Sequence, residues 1–157
     1  MSFVKGSPYL PSTDKAPLFM KIVIIDGQGG RLGGLIVEAV RADVPKGCLY
    51  AIGTNSTATA LMLKAGADYG ATGENAVIVA CRNADVILGP IGILSADALL
   101  GEVTPAMAVA VGQASATKLL LPVNRCRNQV IGLRPLTMTE LVKEAAECLK
   151  TLLRSDT

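Results

Sequence analysis

Between residues 26 and 34 the chain reads Asp-Gly-Gln-Gly-Gly-Arg-Leu-Gly-Gly, with glycine at positions 27, 29, 30, 33 and 34. An unbroken apolar run, residues 22–25, leads into this stretch, and Leu32, Leu35, Ile36, Ala39 and Val40 follow it at helical spacing. The change of period predicts a buried strand, a tight turn, and a helix that opens at the turn. Glycine is the residue that lets such a turn take left-handed backbone and lets another group approach closely. Backbone N–H groups and the positive end of the helix dipole then face one point, the usual arrangement for holding an anion. The spacing Gly27-x-Gly29-x-x-x-Gly33 is a variant of the dinucleotide fingerprint, in the strand–helix context that fingerprint needs. No Lys-Ser or Lys-Thr follows, so it is not a P-loop. The competing reading is that these glycines only let the helix pack tightly on the strand.

Taken in order, the remaining segments repeat the alternation. Residues 48–53 read as a second buried strand, ending in Gly53-Thr54-Asn55-Ser56, a cluster suited to cap a helix. That helix carries Ala58, Leu61, Met62 and Ala65 on one face and stops at Gly66. Residues 67–71 are a short third strand, and a helix with Val77, Ile78 and Cys81 inward follows. Residues 85–88 form a fourth strand, Gly89-Pro90-Ile91-Gly92 a loop, and residues 95–100 a short helix. Thr104-Pro105 starts another helix, since proline suits the first helical position. Residues 118–123 are a fifth strand and residues 129–133 a sixth. Only residues 124–128 separate those two, too few for a parallel crossover, so an antiparallel hairpin is expected. Thr137 and Glu140 have capping-box spacing ahead of a final amphipathic helix.

This order predicts an α/β chain: a single Rossmann-like, doubly wound, mostly parallel sheet of order 3-2-1-4-5, with an antiparallel edge strand. Residues 1–19, without a period, are expected to be a flexible extension, and residues 20–154 the nucleotide-binding domain.

Composition narrows the function. The net charge is +2 and aromatics are 3% of 157 residues, which gives no electrostatic or stacking footprint for nucleic acid. No apolar run reaches the ~18–20 residues that span a bilayer, and the prolines near the start break up any signal-peptide core. No membrane partner is expected, and the location expected is cytoplasmic. Four cysteines lie far apart and there is no histidine. That argues against a metal site and removes Ser-His and Cys-His nucleophile pairs. Cys126, between two arginines, is a thiol whose pKa they would lower, unless the turn leaves it inert.

In such sheets the ligand lies beyond the carboxyl ends of the strands, near the switch in strand order. The loops expected there supply Asp26, Gly27, Gln28, Gly29, Gly30, Arg31 and Gly33; then Gly53, Thr54, Asn55 and Ser56; then Gly89, Pro90, Ile91 and Gly92; and finally Asn124 and Arg125. Asp26 is expected to organise the loop as a hydrogen-bond acceptor. Arg31, Arg125 and Arg127 match phosphate geometry, with plain surface arginines as the alternative. The second strand lacks the acid that grips the ribose of NAD, so NAD(P), a mononucleotide or another phosphorylated metabolite all fit. The expected role is a sensor or accessory protein. A small NAD(P)-dependent oxidoreductase and a ligand-free oligomeric scaffold are the alternatives, and a homo-oligomer is compatible with each.

With the glycine loop, the segments Gly53-Thr-Asn-Ser, Ala65-Gly-Ala-Asp, Ala71-Thr-Gly-Glu-Asn-Ala, Gly89-Pro-Ile-Gly and Pro122-Val-Asn-Arg-Cys resemble a family of short bacterial proteins. That family is catalogued as a domain of unknown function marked by its Asp-Gly-Gln-Gly-Gly motif. The resemblance covers roughly residues 20–153 and implies a bacterial, cytosolic protein but no activity. Arg31 stands where members often have a third glycine after Gly30. Met20 resembles the usual family start.

Overall fold

The computed structural model describes residues 20–123 and 127–155. Five strands, β1 (Ile22–Asp26), β2 (Leu49–Gly53), β3 (Tyr69–Thr72), β4 (Val86–Pro90) and β5 (Thr117–Leu121), form one sheet of order β3-β2-β1-β4-β5. Every pairing is parallel. Between them run α1 (Arg31–Val40), α2 (Ser56–Ala65), α3 (Glu74–Cys81) and α4 (Pro105–Gln113), and α5 (Met138–Ser155) closes the chain.

Alternation along β1 explains the three layers. Ile22 and Ile24 face one core, with Leu32, Ile36 and Val37 of α1, Met62 of α2, and Val142 and Leu149 of α5. Val23 and Ile25 face the other core, with Val77 and Cys81 of α3 and Met107 and Val111 of α4. A parallel sheet covered on both faces needs strands that are apolar on both sides, which is why β1 and β4 are buried at every position.

Helix boundaries follow local chemistry. The Asn55 side chain accepts from the Ala58 N–H at 2.9 Å to cap α2, and Gly66 ends that helix at φ 122. Thr104 caps α4, with Pro105 in its first turn. Ahead of α5 the Glu140 carboxylate accepts from the Thr137 N–H at 2.7 Å, and Thr137 Oγ1 accepts from the Glu140 N–H at 3.3 Å.

Two expectations need correction. The antiparallel sixth strand is not seen among the described residues: residues 129–133 are turn and irregular chain, Gly132 sits at φ 89, and Ile131 is 87% exposed. Apolar residues with no surface to cover them do not form a sheet edge. The helix expected over residues 95–100 is also absent. A 3-10 turn at Ile91–Leu94 is followed by turns through residue 103. Residues 1–19, Asn124, Arg125 and Cys126 lie outside the described residues, so the expectations for them are not addressed by the structure.

Candidate functional site

The sheet order switches between β1 and β4, the strands on either side of the point where the chain turns back. The β1–β2 ladder runs to the Asp26–Gly53 pair, whereas the β1–β4 ladder ends at Ile24–Leu88. Above this point the loops leaving β1 and β2 are fastened together. The Thr54 N–H donates to the Asp26 carbonyl at 3.0 Å, and Asn55 Nδ2 donates to the Gln28 carbonyl at 2.9 Å.

The glycine loop is shaped by close approach. A Cβ on Gly30, which sits at φ 73, would lie 2.5 Å from the Ala58 Cα, so no side chain fits between the loop and α2. A Cβ on Gly33 would lie 2.8 Å from the Asp26 Cβ and would strike the Met62 side chain. Gly29 differs: it is exposed, and a Cβ there would meet nothing within 4 Å. Gln28 takes left-handed backbone at φ 50, which a non-glycine residue rarely does.

Asp26 is buried, and both its oxygens are used. One accepts from the Gly27 N–H at 2.8 Å and the other from the Gly33 N–H at 2.7 Å. Gly33 is in the first turn of α1, so the positive end of that helix is met first by the chain's own carboxylate. Burial pushes the Asp26 pKa above its ordinary value, the two N–H donors pull it back, and the Glu102 carboxylate adds a smaller upward push.

Glu102 was missed from sequence, and it holds the centre of the crevice. Its Oε2 accepts from the Gln28 N–H at 2.5 Å and from Thr54 Oγ1 at 3.0 Å, and its Oε1 accepts from Asn55 Nδ2 at 2.9 Å. These three donors are uncharged and come from two different strand–helix loops. Glu102 arrives from the segment after β4, and that segment is strained: Asp97, Leu99 and Leu100 sit at φ 64, 54 and 57, followed by Gly101 at 90. The sequence did carry a trace of it, since Glu102 is the only charged residue between Asp97 and Lys118.

Of the residues singled out from sequence, Gln28, Thr54 and Asn55 meet at one point, with Gly27 directly beneath. Gly53 makes the turn into α2, where a Cβ would lie 2.6 Å from the Asn55 carbonyl. Ser56 is exposed at the start of α2. Gly89 and Pro90 belong to β4 and are buried, as is Gly92 of the 3-10 turn, while Ile91 is half-buried. A Cβ on Gly89 would strike the Ile25 carbonyl oxygen, so Gly89 serves the close packing of β4 on β1. Arg31 is exposed and borders the groove between α1 and α2 with Leu61 and Lys64. Arg127 is exposed at φ 64. Among the described residues no group of three or more acidic or cysteine side chains is placed to hold a metal ion, and no helix is long and apolar enough to cross a membrane.

A parallel sheet of order 3-2-1-4-5, helices on both faces and a glycine loop at the switch point make this a Rossmann-like α/β protein. Within that class the chain belongs to the family described as Domain of unknown function (DUF3842), whose profile matches residues 21–154. No curated protein and no solved structure matches the chain.

Proposed function

We propose that this protein binds a nucleotide or dinucleotide, NAD(P) among them, in the crevice between the glycine loop and the β2–α2 turn, as a cytoplasmic sensor or accessory protein. The observation that carries the reading is the donor set of Gln28 N–H, Thr54 Oγ1 and Asn55 Nδ2, three groups from two loops aimed at one carboxylate. Hydrogen-bond donors gathered at the carboxyl edge of a parallel sheet suit a phosphate or a sugar bearing one. Among the described residues the groups facing this crevice are carboxylates and neutral donors, Asp26 and Glu102 with Thr54 and Asn55, a set that favours binding over turnover.

Native mass spectrometry of the purified protein, followed by thermal shift with NAD, NADP, ATP, GTP, AMP and coenzyme A, tests the reading. A Gly29→Trp variant locates the site. A Cβ at Gly29 meets open space, so the fold is kept within ~0.5 kcal/mol, while a bulky group on the glycine loop is expected to lower nucleotide affinity at least about tenfold, near 1.4 kcal/mol. Unchanged affinity in that variant would move the ligand elsewhere.

One feature supports the scaffold reading instead. The outer face of α3 and α4 leaves Val79 43% and Val109 53% exposed, beside a groove lined by Ile78, Ala106 and Ala110. A stable assembly in light scattering, together with no response to any nucleotide, would favour it.

A further inference from the structure

We infer that Glu102 is a built-in occupant of the glycine-loop crevice, holding the donors that an oxyanion of the ligand takes when Glu102 withdraws. This rests on reading the crevice as a ligand site, and it deepens that reading by naming what opens the site. A carboxylate and a phosphate want the same thing from a protein, two or three donors converging on their oxygens. Gln28 N–H, Thr54 Oγ1 and Asn55 Nδ2 supply them, and all three are spent on Glu102. A ligand oxyanion and the Glu102 carboxylate therefore compete for one place, and like charge prevents both from staying.

The tether is built for exchange. Leu99 and Leu100 both sit in the left-handed region, where a branched side chain crowds its own backbone. Leu100, at the tip, is 97% exposed and so gains nothing from packing in this conformation. The base of the segment is fastened independently: the Asp97 N–H donates to the Val103 carbonyl at 2.7 Å, the Val103 N–H donates to the Ala98 carbonyl at 3.1 Å, and Ala98 and Val103 are buried. Leu99 is buried in the same core as Ala98 and Val103, so withdrawal of the Glu102 side chain needs only residues 100–102 to relax, at the cost of the turn hydrogen bonds from the Gly101 and Glu102 N–H groups. The population with Glu102 out sets the apparent affinity, because a ligand that binds only the open form is weakened by the fraction of molecules that are closed.

The test titrates the wild-type chain, Glu102→Ala and Glu102→Gln with inorganic phosphate and with AMP, following the Gln28 amide by two-dimensional NMR. The Gln variant keeps the side chain's shape and guards against a loop that collapses in the Ala variant. The expected result is that Glu102→Ala binds both probes at least about tenfold more tightly than wild type, with Glu102→Gln between them. Tighter phosphate binding in the variants without any AMP response would keep the occupant and discard the nucleotide reading. AMP binding that is equal or weaker in Glu102→Ala would overturn the occupant, make Glu102 a direct ligand contact or a bystander, and leave the nucleotide reading intact. No binding of either probe to any of the three proteins would overturn both.

Discussion

The two edges of this sheet treat their carboxylates in opposite ways. At the amino edge Asp68 sits 2.9 Å from the Arg41 guanidinium and also accepts from the Leu49 N–H at 3.0 Å. Arg41 spends its other donors on the Gly66, Val44 and Pro45 carbonyls. Burial pushes the Asp68 pKa up, but hydrogen bonds from Arg41, Leu49 and Gly47, with the Arg41 charge, outweigh it and hold the group below its ordinary value. At the carboxyl edge Asp26 and Glu102 rest on N–H, hydroxyl and amide donors, all neutral, and Asp26 is pushed upward. The contrast separates a staple from a seat. An acid tied to a half-buried cation is part of the architecture, whereas an acid held by neutral donors is held less firmly.

The largest effect is expected at the staple. Asp68→Ala leaves the Arg41 charge largely buried without its partner and should cost ~3 kcal/mol in urea unfolding. A loss below ~1 kcal/mol, the range of a surface pair, would erase the distinction between the edges. Next comes the glycine loop. Gly33→Ala forces a methyl against Asp26 and Met62, and overpacking of that kind costs ~1–3 kcal/mol. Equal stability of Gly33→Ala and wild type would mean that the loop gives way, and that close packing does not define the seat.

The smallest effect is the sharpest, because it has a sign. Asp26 has a folded pKa above its ordinary 3.8, so its ionisation favours the unfolded chain. Its contribution is full below that ordinary value and is lost as pH rises through the raised one. Asp68 has a lowered folded pKa, so its contribution is present above 3.8 and is lost as pH falls through the lowered value. Measured from ~pH 3 to ~pH 8, the stability of wild type relative to Asp26→Asn should fall with pH, and relative to Asp68→Asn it should rise. Two slopes of the same sign would end the comparison.

The strand–glycine–helix joint was legible because three signals agree there: an apolar run ending in Asp26, crowded glycines, and a change to helical period at Leu32. Alternating strand and helix segments pointed to a doubly wound sheet, for which the order 3-2-1-4-5 was expected, and the observed order is that one. The hairpin was misread because Ile131 and Leu133 carry an apolar pattern without burial, and pattern alone does not reveal whether a partner surface exists. Glu102 was illegible for another reason. It reaches Gln28 across 74 residues through backbone turns at Asp97, Leu99 and Leu100 that no local preference would select. Gln28 was singled out from the sequence, but its left-handed backbone, which belongs by preference to glycine, was not.

The glycine packing also limits how this crevice can diverge. Gly27, Gly30 and Gly33 each stand where a single added carbon would collide with a neighbour, so mutation has little room to sample alternatives at those positions. Gly29 and the side chains of Gln28 and Arg31 face open space or solvent and are free to drift. Room for change therefore lies at the rim of the crevice, while an added side chain on its floor meets a neighbour at each of Gly27, Gly30 and Gly33.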